Sequence, residues 1–189
     1  MAQSVFPKAR TALLLVDVIN LFHFPGGPPF ARRAFRQARN IERLRARAHR
    51  AGVPVVYVND NFRRWRSDFN TLVAACSERG RPGAPIARLL APTSRDFFVL
   101  KPHLSGFHET PLDMLLQTGE VRTVVLTGFA ADNCVLFTAA DAHMRDYGVV
   151  VPSDCCASER DQERRHALAQ MRKFLHATTA SSRHIRLRR

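Results

Sequence analysis

Residues 121–148 read VRTVVLTGFAADNCVLFTAADAHMRDYG. The opening run, Val121 to Gly128, is apolar without alternation and rich in β-branched residues, which marks a strand covered on both faces. From Asp132 to Tyr147 the pattern becomes that of a helix, closed by Gly148. A buried strand that passes through a short loop into a helix is half of a βαβ unit, and the same pairing recurs along the chain.

Four further apolar runs have strand length: TALLLVD (11–17), VPVVYVND (53–60), DFFVLK (96–101) and GVVVPSD (148–154). Each is continuous, so each is expected to be buried on both faces, as in a parallel sheet. Between them lie helical patterns over 30–51 and 68–79, closing on Gly52 and Gly80, each placed for a left-handed cap. Thr110-Pro111-Leu112-Asp113 supplies an N-cap, a proline at the first helical position and an acid at the third, ahead of a helix ending at Gly119. A last helix starts near Ser158, and PGGPP (25–29) and RGRPGAP (79–85) read as loops. The expected fold is a single α/β domain over 1–189: a three-layer, doubly wound, mainly parallel sheet with helices on both faces.

The bulk composition narrows the function. A chain of 189 residues with 46% hydrophobic content holds one sizeable core. No window reaches the roughly 18 apolar residues that span a bilayer, and the first apolar run is short for a secretory segment and contains Asp17. The expectation is a soluble, cytoplasmic protein with no membrane partner. Cys76, Cys134, Cys155 and Cys156 form no CxxC pair, and vicinal Cys155-Cys156 suits a disulfide poorly, which fits a reducing compartment. The formal net charge of +13 comes from 26 arginines and three lysines against 16 acids. The arginines are spread through helix-like segments and the tail SSRHIRLRR without a nucleic-acid motif, so they read as a solvated basic face and nucleic acid is not the expected partner.

In an open parallel sheet, ligands bind at the carboxyl ends of the strands. The polar residues there are Asp17, Asp60, Lys101, Asp154 and, just after the fourth strand, Cys134. A carboxylate and a lysine taken from buried strands are costly unless they meet. Cys134 falls in the first turn of its helix, where free N–H groups and the macrodipole favour a thiolate; Lys101 would push the same way and Asp17 could take the thiol proton. That gives a nucleophile, a base and a cation. Taken singly, Cys134 could be an inert core thiol, and Asp17 and Lys101 a structural pair.

Three motifs resemble the isochorismatase-like cysteine hydrolases, the family of nicotinamidases and carbamoylsarcosine amidases, and the resemblance runs over nearly the whole chain. They are Asp17, Asn20 and Phe22 after the first strand; Lys101, Ser105 and Phe107; and Gly128 to Val135 followed by Thr138 to Ala142. The resemblance implies that Cys134 attacks a carbonyl, that Asp17 is general base and then acid, and that Lys101 orients them. It implies a cis peptide between Phe129 and Ala130, with the N–H groups of Ala130 and Cys134 as oxyanion hole. Phe22, Phe107, Phe129 and Asn133 would line a small, aromatic-walled pocket. Dimers or tetramers are common in the family.

Departures qualify this. Ala131 stands where threonine is usual, and Ile19 and Leu21 replace glutamine and aspartate. The Asp-x-His metal motif of nicotinamidases is absent: NDNFRRWRSDF (59–69) has no histidine, nor does anything else between His49 and His103. His23, His103 and His108 fall near the proposed site without ligand spacing. No metal and no cofactor are expected. Within NFRRWRSDF, Trp65 could stack on a flat substrate while Arg66 meets a carboxylate, or both could serve a subunit contact. Asp132 and Asp141 are expected to cap and brace the nucleophile helix. The leading reading is an amidohydrolase of a small amide, carbamoyl or ureido compound, working through a thioester and releasing ammonia. The alternatives are an isochorismatase-type vinyl-ether hydrolase and a non-catalytic basic interaction protein.

Overall fold

The computed structural model describes residues 5–62 and 68–189. In chain order the elements are β1 (Thr11–Val16), α1 (Gly27–Arg50), β2 (Val55–Asp60), α2 (Phe69–Ser77), α3 (Ala84–Leu89), β3 (Phe97–Lys101), α4 (Leu112–Thr118), β4 (Thr123–Phe129), α5 (Cys134–His143), β5 (Gly148–Val150), β6 (Cys156–Ala157) and α6 (Asp161–Phe174). The strands lie in the order β3-β2-β1-β4-β5, with β6 added alongside β4, and every pairing is parallel.

The unbroken apolar runs are explained by two cores, one on each face. Along β1, Ala12, Leu14 and Val16 face a core closed by α4, α5 and α6, whereas Leu13 and Leu15 face a second core closed by α1, α2 and α3. Successive side chains point to opposite faces, so a strand covered on both must be apolar throughout. Residues Leu13 to Val16 are fully buried, and at about 25 cal/mol per Å² their burial contributes several kcal/mol in aggregate.

The sequence reading departs from the structure at several places: Gly27, Pro28 and Pro29 of the expected loop PGGPP open α1, and α4 is capped by Pro111 rather than Thr110. β3 is an edge strand, and Phe98 on it is 52% exposed, stacking on Phe69 with ring centroids 4.9 Å apart. The run expected over 148–154 stops at Val150, and pairing resumes only at β6, because Pro152 has no N–H to give a ladder. The segment read as the loop RGRPGAP leads into α3: Pro85 sits in its first turn, where proline favours a helix start. Asp132 does not cap α5, whose N-cap Asn133 has no side-chain bond; it instead accepts a hydrogen bond from the Ser158 hydroxyl after β6. Asp141 pairs with Arg145 one turn on, at 3.2 Å.

Candidate active site

Asp17, Lys101 and Cys134 come from three different strand ends and meet. Lys101 Nζ lies 2.9 Å from Asp17 Oδ2 and 3.5 Å from Cys134 Sγ. Lys101 is fully buried, Asp17 is 4% exposed and Cys134 is 9% exposed. The ammonium also donates to the His103 carbonyl at 3.1 Å and faces Asp60 Oδ2 at 3.9 Å.

Local backbone geometry puts each group there. Asp17 ends β1 in the left-handed region, φ +50°, and its carboxylate Oδ1 accepts the Asp60 N–H at 2.6 Å. The residues after it are latched by Asn59, a buried β2 side chain that donates to the Ile19 carbonyl at 2.6 Å and accepts the Ile19 N–H at 3.3 Å. On the other side, Gly128 pairs with Val16 at φ +121°, and a Cβ there would lie 1.9 Å from the Val16 carbonyl oxygen. Only glycine allows that approach. Thr138 ties the nucleophile helix to the loop after β3: its hydroxyl donates to the Cys134 carbonyl at 2.7 Å and accepts the Gly106 N–H at 3.0 Å. Asn59 hides in the apolar run VPVVYVND, and nothing in its spacing marks it as a latch.

The Phe129–Ala130 peptide bond is cis. Among the described residues, neither the Ala130 nor the Cys134 N–H donates to a carbonyl. Cys134 opens α5, at the positive end of its dipole, and Ala130 lies in the loop just before it.

Burial dominates the electrostatics. It raises the Asp17 carboxyl above its ordinary range, although the Lys101 ammonium and hydrogen bonds from Cys134, Lys101 and the Asp60 N–H oppose the rise. Burial alone would lower Lys101, but attraction to Asp17, Cys134 and Asp60 outweighs it and the ammonium is held. Burial pushes the Cys134 thiol up to about 12, with the Asp17 charge adding to the rise and Lys101 opposing it. Lys101 acts in the direction expected from the sequence, toward the thiolate, but burial beside a carboxylate outweighs it. The resting group is a thiol hydrogen-bonded to Asp17.

The remaining candidates are distributed around this centre. Asn133 is exposed at the start of α5. Phe22 and Phe129 are buried with Phe30, their rings 5.4 to 6.1 Å apart, in the core under α1. Phe107 is turned into the opposite core, against Tyr147 and beneath the Arg145 guanidinium at 5.1 Å. Trp65 and Arg66 lie outside the described residues. His103 and His108 are exposed and pack edge to face at 4.9 Å. His23 lines a cavity of about 250 Å³ with Leu21, Asn61, Phe62 and Leu100, next to the ends of β2 and β3. Among the described residues, no three His, Cys, Asp or Glu side chains converge as a metal-binding group. Asp154, also a strand-end carboxylate by sequence, is not in the site: it accepts the Ser182 N–H at 2.7 Å and the Ser181 and Ser182 hydroxyls at 2.9 Å. No helix is long and apolar enough to cross a membrane among the described residues.

The isochorismatase domain pattern matches residues 11–182. The chain is 39% identical to the isochorismatase family protein YaaI of Bacillus subtilis, over 90% of this chain and 93% of that one. It is 29% identical to the ureidoacrylate amidohydrolase RutB of Methylobacterium radiotolerans, over 88% of this chain and 74% of that one. Among solved structures, the N-carbamoylsarcosine amidase from Thermoplasma acidophilum superimposes with a TM-score of 0.70 at 30% identity, over 93% of this chain and 98% of that one.

Proposed function

We propose, from the premise that the chain belongs to the isochorismatase family of hydrolases, that it is a cysteine-dependent amidohydrolase of a small amide, carbamoyl or ureido compound. The observation that carries this is the Asp17–Lys101–Cys134 contact, with Sγ and Oδ2 both within 3.5 Å of one buried ammonium. A vinyl ether needs a proton donor but no thiol, whereas an amide carbonyl needs a nucleophile beside a base. The relatives named for their substrates, ureidoacrylate amidohydrolase and N-carbamoylsarcosine amidase, act on ureido and carbamoyl groups by name.

The chemistry follows from the proton inventory. Burial pushes the thiol up to about 12 and raises the Asp17 carboxyl as well, so a free thiolate is costly before substrate arrives. Proton transfer is therefore coupled to C–S bond formation: Sγ attacks the carbonyl carbon as its proton passes to Asp17. The oxyanion that forms takes hydrogen bonds from the Ala130 and Cys134 N–H groups. Protonated Asp17 then gives its proton to the leaving nitrogen, ammonia departs, and an acyl thioester remains. Water, deprotonated by Asp17, attacks the thioester; the acid leaves and Cys134 recovers its proton. One water is consumed for each ammonia released. Lys101 opposes the burial that raises Asp17 and fixes Sγ against it.

The test is ammonia release across a panel of small ureido, carbamoyl and primary-amide compounds, for wild type, Cys134→Ala and Asp17→Asn. Turnover of at least one panel member by wild type, with loss of about 10⁴-fold or more in both variants, is the expected result. Ammonia release that persists in Cys134→Ala overturns the thioester route.

A further inference from the structure

The tail SSRHIRLRR has a place in the fold that the catalytic reading leaves unused. It is fixed rather than loose. Asp154 holds Ser181 and Ser182, Arg47 donates to the Ser182 and Ile185 carbonyls at 2.7 Å each, and Ile185 is buried in the core under α1. Between this tail and the end of α1 lies a basin of about 750 Å³ lined by Arg47, Arg50, Arg183, His184, Arg186 and Arg188. No carboxylate lines it, and among the described residues none of these arginines makes an ion pair.

A second hollow of about 340 Å³ is lined by Lys8, Arg10, Arg122 and Arg189. Its one acid, Glu120, is paired with Lys8. Arg10 and Arg122 immediately precede β1 and β4, and α1 ends just before β2, so this whole basic face lies at the amino ends of the strands. The catalytic group sits at their carboxyl ends.

Arg47 is committed to tail carbonyls, but the guanidinium groups of Arg50, Arg183, Arg186 and Arg188 line the same basin from two fixed segments and repel one another, and the surface that carries them is stabilised by an anion with several charges close together. A lone phosphate satisfies one or two guanidinium forks, whereas linked phosphates satisfy several at once. The hollow is open and of small-ligand volume, and its arginines come from one helix end and one short tail rather than from a long stripe, which fits a compact anion.

We propose that this basin binds an oligophosphate group, at the end of the sheet opposite the active site. The probe is inorganic tripolyphosphate, compared by titration calorimetry with orthophosphate and a duplex of about 20 base pairs, all in low salt. The variant is Arg50→Gln/Arg183→Gln/Arg186→Gln, whose side chains are exposed and make no hydrogen bond or ion pair among the described residues. Arg186→Gln alone is the second variant, should the triple fail to fold. The expected result is saturable one-to-one binding of tripolyphosphate, about tenfold or more tighter than orthophosphate, weakened about tenfold in the triple variant and measurably in the single. Three outcomes overturn the proposal: no saturable binding, binding unchanged in both variants, or duplex binding about tenfold tighter with a steep salt dependence, which makes the face a nucleic-acid surface instead.

Discussion

Replacing Lys101 by methionine keeps the buried stem and removes the ammonium, leaving Asp17 4% exposed without its cation at 2.9 Å. Removing one partner of a buried pair costs about 3–5 kcal/mol, because the other charge stays behind. Asp17 can limit that cost by taking a proton. Neutralising a carboxyl with an ordinary value of 3.8 costs about 1.36 kcal/mol for each pH unit above it, hence at most roughly 4 kcal/mol at pH 7 and under 2 kcal/mol at pH 5, since burial already raises this carboxyl in the wild type. In the variant the folded carboxyl titrates well above the unfolded one, so the folded state holds the extra proton. Its stability relative to wild type is greatest below pH 4 and drains away as pH rises through neutrality. For a chain of this size each kcal/mol moves Tm by about 2–4 °C, giving a deficit of roughly 8–16 °C at pH 7 that shrinks to less than half at pH 5. The assay is denaturant and thermal unfolding of wild type, Lys101→Met, Asp17→Asn and the double variant at both pH values. The double variant, with neither charge, should recover most of the loss. Equal deficits at pH 5 and pH 7, or a double variant no more stable than Lys101→Met, would refute the reasoning.

Two further outcomes are expected. Because the thiol is held up to about 12 by burial and by Asp17, iodoacetamide labelling of Cys134 in wild type should keep rising with pH through neutrality. Asp17→Asn removes the charge that raises it and should label faster at pH 8 while losing ammonia release; slower labelling, read by peptide mass mapping, contradicts the assignment of Asp17 as the neighbour that holds the proton. Asn59→Ala strands both the N–H and the carbonyl of Ile19, buried at 0% exposure, and should cost about 2–4 kcal/mol in denaturant unfolding. An unchanged midpoint would show that the segment after Asp17 needs no latch.

The meeting of Asp17 and Lys101 was legible because each is a chemically expensive group at the end of an apolar run, and the sheet gathers such ends on one side, where α5 also places Cys134. The two-faced burial of β1, β2 and β4 was legible for the same reason: a run such as ALLLV has no polar side to give to water. Asn59 was not legible, since one amide inside VVYVND is indistinguishable from a strand-end polar residue until its partner Ile19 is placed across the sheet. α3 was obscured by RGRPGAP, in which proline and glycine signal a turn although Pro85 is the start of a helix. The burial that pushes the Cys134 thiol up was not legible, because a helix N-terminus is visible in sequence and the depth of burial around it is not.

The ammonium reaches Asp17 from β3, across the end of β2, a span of two ladder spacings or about 10 Å. It does so only because Lys101 stands opposite Asp60 in the β2–β3 pairing. A slip of one residue in that outermost ladder would turn Lys101 to the other face and bring Leu100 into its place. β3 has a neighbour on one side only, so the β2–β3 ladder alone holds its alignment. On the proposed function, turnover is therefore also a gauge of assembly: an active molecule has its edge strand seated to the residue, and a population that folds compactly with a shifted edge would look native by its helices and be chemically silent.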